Sequence, residues 1–144
     1  MLVMRARPLV STAVALAAGW IVVEGDTIHA PGERYRLLDI DAPEIHRAQC
    51  DAERRLGELA KRRLQALLDA GPVAFSPDPP TKRDRYGRLL AHLIVNGEDV
   101  ACVLIREGYA VPWSGRRANW CGKEALGTFT EVAHADCATT SSTD

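Results

Sequence analysis

With 144 residues, 15.7 kDa, 47% hydrophobic and 26% charged residues, the chain has room for one soluble globular domain and not for a second. A net charge of −1 and a pI of about 6.4 exclude the strongly basic balance by which a nucleic-acid binder ordinarily shows itself. Any affinity for phosphate therefore has to come from local clusters of cations.

The stretch Met1 to Trp20 carries Arg5 and Arg7 ahead of the apolar run Leu9 to Ala18, and Ala15-Leu16-Ala17 has the small-x-small pattern of a signal-peptide cleavage site. The run is too short and too rich in alanine for a membrane span. Residues 1–17 read as a signal peptide, against a first strand or a leader as the other reading. A secreted or periplasmic location is expected, with the cytoplasm as the alternative. Residues 18–137 are the expected domain, and the polar tail 138–144 reads as disordered.

Trp20 to Val23 and Thr27 to Ala30 read as strands, Pro31-Gly32-Glu33 as a turn, and Arg34 to Ile40 as the next strand. Asp51 to Asp69 is a helix. Ala52, Leu56, Leu59, Ala60, Leu64, Leu67 and Leu68 fall on one face at helical spacing, and Gly71-Pro72 stops it. Val73 to Phe75 and Leu89 to Val95 follow as strands, the second ending at the Asn96-Gly97 turn. Val100, Val103 and Leu104 begin a second helix that Gly108 ends, whereas Lys123 to His134 is at best a broken helix. The succession describes a small α+β domain built on a mostly antiparallel barrel.

Four cysteines, Cys50, Cys102, Cys121 and Cys137, suit an exported domain and allow three full pairings. Cys50 and Cys121 flank the candidate site and are the preferred bridge, while Cys102 lies in an apolar helical pattern and reads as a core thiol. There is no C-x-x-C pair and no histidine at zinc spacing from a cysteine.

The chemistry concentrates in two segments, Arg36-Leu-Leu-Asp-Ile-Asp41-Ala-Pro-Glu44 and Asp84-Arg-Tyr-Gly-Arg88. Asp26, after a glycine in a turn, and Asp41, before Ala42-Pro43, are oxygen donors for a hard cation. The extended backbone imposed ahead of proline leaves the Ala42 carbonyl available as a further ligand. Such a set would bind calcium weakly, with Kd on the order of 10⁻⁴–10⁻³ M. Arg36 and Arg88 offer planar, permanently charged forks for a phosphate in transfer. Glu44 is placed to take a proton from an attacking water, with His46 a rival base ranked behind it. Lys82, Arg83, Arg85 and Arg88 form the denser basic run, and Arg47, Arg54, Arg55, Lys61, Arg62 and Arg63 a looser one. His29, His92 and His134 read as surface or structural. One obstacle is parity: in a regular strand Arg36 and Asp41 face opposite sides, so their convergence needs a bulge or the reach of arginine.

These residues, together with Gly25-Asp26-Thr27 and the long helix, resemble in order and spacing the staphylococcal-type thermonucleases from about Trp20 to Tyr109. The resemblance implies an OB-type five-stranded barrel with three helices and calcium-dependent cleavage of DNA and RNA to 3′-phosphate products, by a protein expected to act as a monomer. It implies Arg36, Glu44 and Arg88 as the catalytic set and Asp26, Asp41 and the Ala42 carbonyl as calcium ligands. Arg85 and Tyr86 would lie near bound nucleotide. Glu24 and Ala42 stand where the family usually has Asp and Thr. The third helix is poorly written, and Trp113 and Trp120 are the aromatic residues available where stacking tyrosines are expected. The alternative is a non-catalytic OB-fold module that binds nucleic acid or protein, which requires loss of acidic and arginine positions that are all present here.

Overall fold

The computed structural model describes residues 19–122; the expected leader, the broken helix Lys123 to His134, Cys137 and the tail 138–144 lie outside them. Strands β1 (Ile21–Glu24), β2 (Thr27–Ala30) and β3 (Glu33–Leu37) form an antiparallel meander that buries Val22, Ile28 and Leu37. The expected strand Arg34 to Ile40 is broken. Asp39 takes a left-handed φ of 65°, which a short polar side chain tolerates, and β4 (Ile40–Asp41) starts beyond it. That turn removes the parity obstacle, because Asp41 no longer shares a regular strand with Arg36.

Helix α1 (Asp51–Asp69) has the expected bounds, but its buried stripe is Glu53, Gly57, Ala60, Leu64 and Leu68. Leu59, at 47% exposure, falls outside it. Leu64 and Leu68 are almost fully buried, and burial of a leucine contributes about 2 kcal/mol. Strand β5 (Val73–Ser76) follows, then β6 (Leu89–Val95), in which Leu89, Ala91, Leu93 and Val95 point inward at a period of two. The short strand β7 (Glu98–Asp99), helix α2 (Val100–Arg106) and strand β8 (Val111–Pro112) complete the described chain.

The strands form a mixed sheet in the order β1-β2-β3-β6-β5, with β7 on β6; β3 and β6 run parallel, and β4 pairs separately with β8. With the helices this is the expected α+β, OB-type architecture. Helix α1 packs across β1 and beside α2. A Cβ at Gly25 would stand 2.8 Å from that of Ala60 and 3.0 Å from that of Ala42, so only glycine lets the β1–β2 turn approach the helix. No helix among the described residues is long and apolar enough to cross a membrane.

Cys50 is bonded to Cys121, tying the start of α1 to the chain beyond β8. Cys102 is also disulfide-bonded, so it is not the core thiol its apolar surroundings suggest.

His92 is structural. Its Nδ1 lies 2.8 Å from Asp99 Oδ2 and its Nε2 3.4 Å from Asp39 Oδ2, while Asp99 Oδ1 accepts the Ala101 N–H at the start of α2. The hydrogen bond to Asp99 raises the imidazole above its ordinary 6.5. Protonated His92 thus stabilises the fold fully below that ordinary value, and the contribution fades as pH rises through the raised one. Thermal unfolding across pH 5–9 should show wild type losing its advantage over His92→Gln as pH rises. Parallel curves would sink the idea.

Candidate active site

The site assembles where the β1–β2 turn, the β3–β4 turn, the segment Asp84–Arg88 and the chain beyond β8 meet around an open groove of about 890 Å³. Asp26 leaves the turn pointing inward rather than out from the sheet edge: it is 7% exposed and its carboxylate is fully engaged. Oδ1 accepts from the Thr27 hydroxyl at 2.9 Å. Oδ2 accepts from the Ala42 N–H at 3.1 Å and pairs with Arg36 Nη1 at 2.7 Å. Arg36 also donates from Nη2 to the Ile40 carbonyl at 3.1 Å, bridging the turn that Asp39 makes, and its guanidinium lies 5.7 Å from the centre of the Trp113 ring. Its ion-pair partner is therefore Asp26, not neighbouring Asp39.

Arg88 is oriented by its own local turn. The Asp84 Oδ1 accepts the N–H groups of Tyr86 and Arg88, and its Oδ2 holds Arg88 Nε at 2.7 Å. Gly87, at φ 79°, closes the ring with an N–H to the Asp84 carbonyl. Burial works against the Asp84 charge, but these bonds from Arg88 and Tyr86 hold its carboxyl below the usual carboxylate range. Arg88 Nη1 then reaches Thr27 Oγ1 at 3.2 Å. A continuous chain results, Arg88–Thr27–Asp26–Arg36, in which each guanidinium is held through two of its nitrogens.

The remaining carboxylates surround this chain. Asp41 is buried at 3% exposure; burial raises its carboxyl and the charge of Asp26 adds to that, opposed by donors from the Ala118 N–H and the Trp120 indole N–H, both on Oδ2. Glu44 is raised by burial first and then by Glu24, while Arg117, at 3.5 Å, opposes the shift. Glu24 Oε1 accepts the backbone N–H groups of Ile45 and His46. His46 itself is exposed in the groove wall.

Arg85 and Tyr86 lie together at the groove. Tyr86 is 52% exposed, Arg85 Nη2 donates to its hydroxyl, and the guanidiniums of Arg85 and Arg88 lie 4.8 and 5.4 Å from the ring centre. Of the remaining cations of the denser run, Arg83 is tied to Glu33 instead. From the looser run, Arg54 pairs with Asp51 and Arg63 with Glu107. Trp113 is 44% exposed at the groove, but Trp120 is 6% exposed and serves Asp41, so it presents no face for stacking. Thr27, Glu53 and Arg117 also belong to the site, beyond the residues its motifs mark. Thr27 had a signal in Gly25-Asp26-Thr27; the others had none, since their partners are distant in sequence.

The candidate donors are of the type a hard cation takes. Asp26 and Asp41 lie within Coulombic reach of each other, and all candidate ligands are oxygens. Among the described residues no group of three His, Cys, Asp or Glu could hold a metal, so carbonyl oxygen and water would have to complete such a site.

Fold and groove together define an OB-type barrel with a groove in which arginines surround an acidic centre. The chain matches the family model of staphylococcal nuclease homologues over residues 34–136, and it belongs to that family. It is 34% identical over 92 residues to endonuclease YncB of Bacillus subtilis, covering 61% of this chain and 43% of that protein. It is 36% identical over 92 residues to the SPbeta prophage-derived endonuclease YokF of the same organism, with coverages of 61% and 31%. With the succinoglycan biosynthesis protein ExoI of Rhizobium meliloti the identity is 37% over 99 residues, covering 62% and 48%. The chain therefore spans less than half the length of these relatives.

Proposed function

We propose that the protein is a calcium-dependent nuclease that hydrolyses phosphodiester bonds of DNA and RNA and leaves 3′-phosphate ends. One observation carries the reading: the bonded chain Arg88–Thr27–Asp26–Arg36 sets two anchored guanidiniums beside Asp41 and Glu44 in a single groove. Asp26, Asp41 and the Ala42 carbonyl would hold the ion. Bound there, calcium would supply positive charge to offset that of the phosphate.

The protein's own groups do the rest. Glu44, made more basic by burial and acidic neighbours, takes a proton from the attacking water. Arg36 and Arg88 stabilise the charge that builds on the equatorial oxygens as the phosphorus–oxygen bond to the 5′ side breaks. The 5′-oxygen departs and takes a proton from solvent water, leaving the phosphate on the 3′ side. The exposed Tyr86 ring offers a nucleobase a stacking surface, and Arg85 beside it offers a phosphate a charge. Cys50–Cys121 and the bonded Cys102 support action in an oxidising compartment, secreted or periplasmic, and we place the protein there as a monomer.

Hydrolysis of single-stranded DNA and RNA should require calcium, stop with chelator, and fall about 10²–10⁴-fold in Glu44→Gln. A folded protein that binds oligonucleotide and cleaves none under any of these conditions would instead be a non-catalytic barrel.

A further inference from the structure

Beyond β8 the chain runs without regular structure from Trp113 to Cys121, lining the groove at Trp113, Gly115, Arg116 and Arg117 and bonding to Asp41 from Ala118 and Trp120. We propose that Arg117 on this strap is a positioning residue that holds the Glu44 carboxylate in place, with the Cys50–Cys121 bridge fixing the strap. The inference rests on the assignment of Glu44 as the base.

Arg117 Nη2 lies 3.0 Å from Glu53 Oε1 and 3.5 Å from Glu44 Oε1. Glu53, 2% exposed in the first turn of α1, is the anchor: its Oε1 also accepts the Glu44 N–H at 3.1 Å, and its Oε2 the Gln49 N–H at 2.8 Å. Glu53 thus fixes the backbone of Glu44, and Arg117, seated on Glu53, reaches its side chain. Charge favours this contact. Glu24, Asp26 and Glu53 all repel the Glu44 carboxylate, and Arg117 opposes them. Without that cation the repulsion drives the carboxylate out toward solvent, away from an attacking water.

The strap has a second hold on the same centre, through the Ala118 N–H at 2.9 Å and the Trp120 indole N–H at 3.2 Å from Asp41 Oδ2. A polar cleft of about 220 Å³ lies between the strap and α1, lined by Gln49, Glu53 and Arg117 among others. The disulfide is the strap's covalent fastening to the start of α1.

The test is steady-state hydrolysis of a single-stranded DNA oligonucleotide in calcium by wild type, Arg117→Gln, Arg117→Lys, Glu44→Gln and the double variant Glu44→Gln/Arg117→Gln. Arg117→Gln should lower kcat by roughly 10²-fold with KM unchanged, and Arg117→Lys should recover most of the loss. In the Glu44→Gln background the Arg117 substitution should add nothing, because the group it positions is gone. An unchanged kcat, a loss confined to KM, no rescue by lysine, or a full additive loss in the double variant would overturn the proposal. If Arg117→Gln does not fold, Arg117→Lys carries the test: a several-fold lower kcat at unchanged KM, absent in the Glu44→Gln background, is expected, and a wild-type kcat or a loss confined to KM overturns the proposal. The two failures are distinguishable: no cleavage by wild type, or cleavage unaffected by Glu44→Gln, overturns the underlying assignment and this role with it.

Discussion

Alanine at Arg36 is expected to lower kcat by about 10³-fold or more while leaving calcium binding intact or tighter. The first part follows from the loss of a planar, anchored guanidinium; lysine should not replace it, because a single ammonium cannot span two phosphate oxygens. The second part follows from competition. Arg36 Nη1 sits 2.7 Å from Asp26 Oδ2, so the arginine and a bound cation draw on the same carboxylate. Removing the arginine leaves Asp26 nearly buried without its cation, a change that typically costs about 3–5 kcal/mol when a buried pair is broken. A calcium ion would offset that cost, so Arg36→Ala should gain more thermal stability on calcium addition than wild type does. Calorimetric calcium titration and melting with and without the ion measure both. Activity within tenfold of wild type, or calcium binding abolished in the variant, would contradict the arrangement.

Removing the Cys50–Cys121 bridge should act on stability and catalysis at once. The two residues are 71 apart, and releasing a loop of that length from the unfolded chain corresponds to about 4 kcal/mol in the chain-entropy account. The paired substitution Cys50→Ser/Cys121→Ser should lower the unfolding free energy by about that amount. The loss of activity should exceed what the unfolded fraction explains, because the strap that carries Arg117, Ala118 and Trp120 is then unfastened from α1. Chemical denaturation gives the first quantity, and rate per folded molecule at low temperature the second. A destabilised variant with a full rate per folded molecule would separate the bridge from the site.

Much of this was legible in the residues, and the part that was not has a common physical cause. The bounds of α1 were readable because Gly71-Pro72 and the apolar spacing are local signals. Its true inward stripe was not, because Glu53 and Gly57 belong to it for tertiary reasons: one carboxylate receives two backbone N–H groups and Arg117, and a Cβ at Gly57 would stand 2.9 Å from the carbonyls of Pro43 and Glu44. The Asp84–Arg88 segment stood out as one unit, and its bonds do close within five residues. The convergence of Arg36 and Asp41 was hidden by the left-handed Asp39, a conformation that a non-glycine residue seldom announces. Trp120 looked like a stacking residue until its indole N–H was found on a buried carboxylate 79 positions away.

The Asp84–Gly87–Arg88 ring also bears on how the site is lost and regained. Apart from Thr27, every group that aims Arg88 is supplied within one five-residue span, so the chain closes this ring at almost no cost in loop entropy. The acidic centre depends instead on residues 26, 41, 118 and 120, which meet only when the barrel and strap are both in place. Partial opening of the barrel is therefore expected to disperse the carboxylates more readily than it undoes the Asp84–Arg88 ring.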